Sequence, residues 1–181
     1  MDKKSINELY KSILLDIWMN GQLVNPRGSC VKEIRNYQIT LEDINDKVIT
    51  VWRAKTNLPY AKTELQWYLD GSNRIDFHKI ITKVWKRYSD DGETVNSAYG
   101  HRIFGTHNDF VNQWEWVLQE LRADPDSRRA VININYSGDK ILPTKDNPCT
   151  MYIQVFVRRG RLHWTVNMRS NDVYFGFRND M

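Results

Sequence analysis

Cys149 is the residue of this sequence that is best suited to covalent chemistry. It lies in the stretch Asn147-Pro148-Cys149-Thr150, directly before a strongly apolar segment. A lone cysteine is most often a buried structural thiol, and it becomes a nucleophile where nearby cations lower the pKa of the thiol. Candidate cations are present in Arg128, Arg129 and Arg169. The combination indicates a thiolate close to an anionic ligand such as a phosphate.

These residues belong to a longer, ordered set of motifs. In chain order the set comprises Arg27-Gly28, Glu64-Leu65-x-Trp67-Tyr68 with Gly71, Val84-Trp85, Tyr99-Gly100, Asp124-Pro125-Asp126-Ser127-Arg128-Arg129, Pro148-Cys149, Gln154, and Arg169-Ser170-x-Asp172 with Gly176. The set resembles the thymidylate synthase superfamily from about residue 5 to the end of the chain. This resemblance implies an α+β fold in which helices cover a mixed β-sheet and one sheet face forms a dimer interface.

The resemblance implies chemistry at a pyrimidine ring. In the family a cysteine thiolate attacks C6, and C5 then attacks the methylene group of 5,10-methylenetetrahydrofolate, with no metal involved. Cys149 matches the nucleophile. The ligands of the nucleotide phosphate are matched by Arg27, Arg169 and Ser170. Arg128 and Arg129 resemble arginines that reach the phosphate of the other subunit, which implies a homodimer with shared active sites.

Other matches surround the ring and the folate. Glu64 resembles the carboxylate that organises proton transfer through water. Apolar neighbours favour a raised pKa for this carboxyl group, and they are Leu65, Trp67 and Tyr68. Tyr99 resembles the tyrosine that assists proton removal at C5. Contacts with the folate are implied for Trp85, Asp172 and Gly176. Contacts with the base are implied for Asp172, Gln154 and Asp180.

Two departures from the synthase pattern favour cytosine as the base. Thr150 follows the nucleophile where deoxyuridylate enzymes usually have histidine, and Asp180 stands where they have asparagine. Cytosine accepts at N3 and donates from its amino group, which is the reverse of uracil. A protonated Asp180 would complement cytosine, and an ionised Asp180 would pair with a ring protonated at N3. A buried mismatch costs ~1–3 kcal/mol, which gives about tenfold discrimination or more.

The segment 166–180 resembles the deoxycytidylate hydroxymethylases of phages, in which water completes the reaction. The predicted activity is therefore deoxycytidylate 5-hydroxymethylation for modified phage DNA precursors. The alternatives are a thymidylate synthase, a deoxyuridylate hydroxymethylase, and an enzyme that acts on the ribonucleotide. A truncated homologue that binds nucleotide without turnover is a further alternative, because the family continues with a His-x-Tyr segment for the sugar. A register slip would make Asn179 the selector.

Hydrophobic patterns predict the elements that carry these motifs. Ser5 and Glu8 have capping-box spacing, which predicts a helix that ends at Asn20-Gly21. Further helices are predicted over 61–70, 73–88, 109–122 and after Met168. Strands are predicted over 31–39, 130–136, 150–158 and 161–168, the last two joined at Arg159-Gly160. We expect one α+β domain over 1–181, with the C-terminal part of the family fold absent.

Composition limits the remaining classes of protein. The 181 residues are 41% hydrophobic and 27% charged, as in one globular domain. No apolar run approaches the ~20 residues that span a bilayer. Without a signal-peptide core, we expect the cytoplasm of a bacterium or phage-infected host. The net charge of +4 is mild and of mixed sign, so direct binding to nucleic acid is not expected. Cys30 and Cys149 form no CxxC zinc motif.

Overall fold

The computed structural model describes residues 5–51, 55–105, 112–137 and 143–180, with the side chain of Asp180 left out. Contacts divide the chain into two compact units. The first unit comprises the chain up to Leu58 together with the segment from Asp172 onward, and the second runs from Pro59 to Asn171. Within the described residues, no helix is both long enough and apolar enough to cross a membrane.

The first unit is built on helix α1 (Ile6–Asn20) and a short hairpin. The predicted capping box is confirmed, because the Ser5 and Glu8 side chains each accept the other's backbone N–H. The apolar face of α1 packs on a core that contains Ile6, Tyr10, Ile13, Ile49 and Phe177. Strands β1 (Gln22–Val24) and β2 (Val31–Glu33) pair antiparallel. The strand predicted over 31–39 is wrong in extent, because a turn with φ 56° at Asn36 follows β2.

Four helices belong to the second unit or begin at its edge. They are α2 (Leu58–Leu69), α3 (Lys79–Trp85), α4 (Tyr99–Phe104) and α5 (Gln113–Ala123). The single helix predicted over 73–88 is wrong. A 3₁₀ turn (Ile75–Phe77) comes first, and His78 is extended, with its ring capping the N–H of Ile80. The helix predicted over 109–122 begins at Gln113, and residues 109–111 lie outside the described residues.

The sheet of the second unit has the order β3-β4-β5. Its strands β4 (Thr150–Arg158) and β5 (Arg161–Met168) confirm the strands predicted over 150–158 and 161–168, whereas β3 (Val131–Asn133) covers only part of the strand predicted over 130–136. Both pairings of these strands are antiparallel, whereas the family resemblance implied a mixed sheet. Arg159 and Gly160, both with positive φ, form the tight turn between β4 and β5.

Two hydrophobic clusters stabilise the second unit. Helix α5 covers one face of the sheet through a cluster that includes Val117, Leu121, Ile132 and Val155. A second cluster joins α2 and α3 to the segment before α4 and contains Trp67, Ile75, Ile81, Val95 and Ala98. After the sheet, the chain continues in the first unit with a π-helical turn (Val173–Phe177) and α6 (Arg178–Asp180). The helix predicted after Met168 is therefore confirmed from Val173 onward.

Candidate active site

Cys149 is at the end of a loop that leads into β4, and residues 143–149 are called the nucleophile loop below. The thiol is free and half-buried. The backbone N–H groups of Cys149 and Thr150 both donate to the Tyr99 hydroxyl oxygen, at 3.2 and 3.4 Å. Since Tyr99 is the first residue of α4, that helix fixes the backbone of the candidate nucleophile.

Arg169 holds the same loop from the other side. Thr150 pairs with Met168 across β4 and β5, so Arg169 emerges from β5 beside Cys149. The Arg169 backbone N–H donates to the Cys149 carbonyl at 2.8 Å. Its Nε and Nη2 groups donate to the carbonyls of Pro148 and Asn147, both at 2.9 Å. The structure thus brings together Cys149, Tyr99 and Arg169, which the family resemblance assigned to one site. Ser170 follows Arg169 and is exposed.

Glu64 forms a second polar group with Tyr60 and Trp85. Its side chain is buried, and its Oε1 accepts a hydrogen bond of 2.5 Å from the Tyr60 hydroxyl. The Trp85 indole N–H donates in turn to the Tyr60 oxygen at 3.2 Å. The half-buried Trp85 ring packs against Trp67 with a centroid distance of 5.7 Å. The predicted carboxylate and the predicted folate-contacting ring therefore share one hydrogen-bonded chain.

Burial changes the acidity of two groups in this region. It raises the pKa of Glu64, and hydrogen bonds from Tyr60, Trp85 and Tyr68 oppose that shift without cancelling it. The raised pKa expected from the sequence is confirmed, although Leu65 is 58% exposed and does not contribute an apolar wall. Burial also raises the pKa of the Tyr99 hydroxyl, against a hydrogen bond with Thr150. Both groups therefore hold their protons more firmly than they would in water.

Tyr68 connects the two polar groups. Its ring meets that of Tyr99 edge-on at a centroid distance of 5.8 Å and lies 6.0 Å from that of Trp67. Gly100 makes the approach of α4 to α2 possible, because a Cβ atom there would lie 2.2 Å from the Tyr68 carbonyl oxygen. The motif Tyr99-Gly100 thus combines the hydroxyl that accepts from Cys149 with the space that α4 needs beside α2.

A third group lies at the start of β3, where Val131 pairs with Gln154 of β4. It comprises Arg128, Arg129 and Gln154. Gln154 Nε2 donates to the Arg128 carbonyl at 2.8 Å, so its amide supports the backbone of the arginine pair. Both arginines are exposed. The Arg129 guanidinium already binds both carboxylate oxygens of Glu120, at 2.9 and 3.1 Å. The contact of Arg128 and Arg129 with another subunit stays a prediction.

The remaining predicted residues lie in the first unit. Arg27 lies in the exposed turn between β1 and β2 with φ 50°, followed by Gly28 with φ 82°. Asp172 caps the π-helical turn, because its carboxylate accepts the N–H of Phe175 at 2.6 Å. Gly176 lies within that turn. The backbone of Asp180 is in α6, but its side chain lies outside the described residues, so its role as base selector stays a prediction.

Sequence reasoning missed several polar partners in these groups. Tyr60 lies four residues before Glu64 on one helix, and this i, i+4 spacing was the available signal. Glu120 lies nine residues before Arg129, and no local pattern indicates their pairing. Asp146 in the nucleophile loop also gave no signal. Within the described ranges, no three His, Cys, Asp or Glu side chains are grouped so that they could hold a metal ion.

Comparisons with known proteins agree with the geometry. Residues 8–181 match the family described as thymidylate synthase. A deoxyuridylate hydroxymethyltransferase of Bacillus phage SP01 is 31% identical over 93% of this chain and 47% of its own length. A deoxycytidylate 5-hydroxymethyltransferase of Enterobacteria phage T4 is 35% identical over 68% of this chain and 52% of its own length.

The chain therefore spans about half the length of the curated relatives that it matches. Among solved structures, thermostable thymidylate synthase A from Bacillus subtilis superposes with a TM-score of 0.77 over 98% of this chain and 69% of that chain, at 24% identity. That likeness shows the fold, and the match over residues 8–181 shows the family. The chain belongs to the thymidylate synthase family.

Proposed function

We propose that this protein transfers a one-carbon unit to C5 of a pyrimidine deoxynucleoside monophosphate, with Cys149 as the covalent nucleophile. The observation that carries the proposal is the setting of Cys149, whose backbone is held by the Tyr99 hydroxyl on one side and by Arg169 on the other. A reacting atom has to be held in place before its substrate arrives, and this arrangement meets that requirement.

Cys149, Tyr99 and Glu64 have separate roles in the proposed reaction. The Cys149 thiolate adds to C6 of the ring, and C5 becomes the carbon nucleophile. The cosubstrate 5,10-methylenetetrahydrofolate supplies the one-carbon unit. Tyr99 lies at the nucleophile and is suited to guide removal of the C5 proton. Glu64 retains its proton to a higher pH than an exposed carboxyl group, which suits proton transfer through water near the folate.

We assign the cosubstrate to the half-buried ring of Trp85, whose indole N–H donates to Tyr60 of the Tyr60–Glu64 pair. Arg169, Ser170 and Arg27 keep the phosphate roles that the family resemblance implies. Arg128 and Arg129 would complete that site in a homodimer. Asp172, Gln154 and Gly176 keep the base and folate roles that the family resemblance implies.

For the finer activity we propose 5-hydroxymethylation of deoxycytidylate. Two features support it, namely Asp180 in place of the synthase asparagine and the likeness to the deoxycytidylate 5-hydroxymethyltransferase of phage T4. The second candidate is deoxyuridylate hydroxymethylation, because the relative from phage SP01 with that name covers more of this chain. Water rather than hydride would complete both reactions.

The covalent step is tested by mass spectrometry of the protein incubated with 5-fluoro-dCMP and methylenetetrahydrofolate. We expect one adduct that joins protein, nucleotide and folate, located on the peptide that contains Cys149. The Cys149→Ser variant should bind the nucleotide and form no adduct, whereas Cys30→Ser, which removes the other thiol, should form it normally. Nucleotide binding without any adduct in the unmodified protein would contradict covalent catalysis.

The choice of base is tested by the release of tritium from C5-labelled dCMP and dUMP. We expect faster release from dCMP, and an Asp180→Asn variant should reverse the order, because an asparagine amide complements uracil. A variant that leaves the preference unchanged would remove Asp180 from the selection of the base. Chromatography of the product then separates hydroxymethyl from methyl transfer.

A further inference from the structure

Besides its bonds to Arg169, the nucleophile loop is hydrogen-bonded to residues 89–99, which are called the anchoring segment below. The attachments are found at three levels along the loop. Near its start, Thr144 Oγ1 donates to Asp90 Oδ2 at 2.6 Å and the Lys145 N–H donates to Asp90 Oδ1 at 3.0 Å. At its end, the Tyr99 hydroxyl accepts from Cys149. The attachment between these two comes from Asp146.

Asp146 makes the buried attachment of the three. Its Oδ2 atom accepts the N–H of Ser97 at 2.8 Å, and the two residues are 9% and 3% exposed. Its backbone carbonyl accepts from Asn96 Nδ2 at 3.4 Å. A hydrogen bond from an amide to a buried carboxylate is stronger than a bond between neutral groups, and water does not compete for it. Asp90, by contrast, is exposed.

The anchoring segment is itself held firmly around Ser97. The buried guanidinium of Arg102 donates from Nε to the Asn96 carbonyl at 2.7 Å and from Nη1 to the Ile134 carbonyl at 2.6 Å. Val95 and Ala98, on either side of this point, belong to a hydrophobic core cluster. Because Asp146 is bound to Ser97, it is connected through this segment to the core of the second unit.

We propose that Asp146 is a positioning residue for Cys149, whose carboxylate fixes the nucleophile loop to the segment that carries Tyr99. Two residues lie between Asp146 and Cys149, and one lies between Ser97 and Tyr99. The carboxylate–amide bond is thus close in sequence, on both segments, to the bond between Cys149 and Tyr99, and it limits how far the two segments can separate there. This role rests on the proposed function of Cys149, but the geometry that it describes can be measured without substrate.

The test compares Asp146→Ala with Asp146→Asn, both in a Cys30→Ser background so that Cys149 is the single thiol. Asparagine keeps a side-chain oxygen that accepts the Ser97 N–H, and alanine does not. Amide hydrogen exchange of Cys149 and Thr150 is followed by NMR. We expect exchange about tenfold faster or more in Asp146→Ala, and within about threefold of the parent in Asp146→Asn.

The pH profile of Cys149 alkylation by iodoacetamide gives a second readout of the same variants. A displaced loop should shift the profile in Asp146→Ala and leave it in place in Asp146→Asn, since Arg169 and Tyr99 would no longer meet the loop in the same geometry. Val117→Ala is the matched control, because it removes buried volume from the α5 cluster and leaves the loop contacts intact. It should lower stability without changing either readout.

Three outcomes would overturn the proposal. They are unchanged exchange of the Cys149 and Thr150 amides in Asp146→Ala, equal acceleration of that exchange in Asp146→Ala and Asp146→Asn, and the same acceleration in Val117→Ala. If Asp146→Ala does not fold, Asp146→Glu replaces it, because the extra methylene displaces the carboxylate. Exchange indistinguishable from that of Asp146→Asn would then refute the role. Should the parent form no adduct with fluorinated nucleotide and folate, the proposed function fails while these measurements still decide the positioning.

Discussion

The nucleophile loop and the turn that carries Arg27 are both polar connections between short elements, yet they are held in opposite ways. Backbone N–H groups of the nucleophile loop donate to the side chains of Asp90 and Tyr99, and the Arg169 side chain donates to a carbonyl of the loop. The Arg27 turn, residues 25–30, is exposed along most of its length, and Ser29 closes it through one backbone bond to Pro26.

The difference matches the roles proposed for the two regions, a nucleophile in the first and a phosphate ligand in the second. A nucleophile has to meet one carbon atom within a few tenths of an ångström, so its backbone is held by several bonds to the core. An arginine that binds phosphate carries a long side chain and a charge that acts over several ångströms. The turn needs to supply only a direction, which the left-handed backbone of Arg27 and Gly28 provides.

The largest effect is expected from Arg169→Lys, which attacks the nucleophile loop directly. Lysine keeps the charge but has no planar fork, so it cannot bind the carbonyls of Pro148 and Asn147 together. Two lost charge-assisted bonds should slow covalent adduct formation by about 100-fold. Rapid-quench mass spectrometry measures the rate. Arg161→Lys, at the exposed start of β5, is the matched control and should react at the parental rate.

Tyr99→Phe is expected to have the next largest effect. It deprives the N–H groups of Cys149 and Thr150 of their shared acceptor while the ring still packs on Tyr68. Unpaired amides at this depth should lower the free energy of unfolding by ~1–3 kcal/mol, measured by urea denaturation. Tyr88→Phe, whose ring is 37% exposed, should change it by less than about 0.5 kcal/mol. Equal losses in the two variants would mean that the Tyr99 hydroxyl does not hold the loop.

Local patterns predicted the regular elements, because each depends on neighbours in sequence. The capping box of α1 and the β-rich segments that form β4 and β5, joined by the Arg159-Gly160 turn, are examples. The helix predicted over 73–88 failed at His78, whose extended backbone separates the Ile75–Phe77 turn from α3. Helical spacing of apolar residues continued across that break, since Ile75 and Ile81 both reach the same core cluster.

For the site, matching motifs predicted the residues, but their partners depended on contacts distant in sequence. Asp146 and Ser97 are 49 positions apart, and no periodicity relates them. Glu120 and Arg129 lie on a helix and on the segment after it, so their pairing depends on how the chain turns between them. Only Tyr60 and Glu64, four residues apart on α2, could have been paired from the sequence.

The free energy of unfolding should depend on pH through the buried Glu64 of the second unit, which has no counterpart in the exposed Arg27 turn. Burial raises the folded pKa of Glu64 above its ordinary value of 4.5, so folding favours the protonated form. The stabilisation is present below the unfolded pKa and is lost as pH rises through the folded pKa. Glu64→Gln should remove this decline in urea-derived free energies of unfolding measured from pH 4 upward. A decline that persists unchanged in the variant would assign it to other groups.

The smallest effects are expected in the Arg27 turn, where Arg27→Ala and Arg27→Gly separate side chain from backbone. Both variants lack the guanidinium, so calorimetry should show nucleotide affinity about tenfold weaker in each. Glycine adopts φ 50° without a steric penalty and alanine does not, so Arg27→Gly should be more stable than Arg27→Ala by ~1 kcal/mol in urea denaturation. Affinity restored by glycine relative to alanine would mean that the turn acts through its backbone shape. In that case both regions would depend on backbone geometry, and the contrast between them would be one of degree.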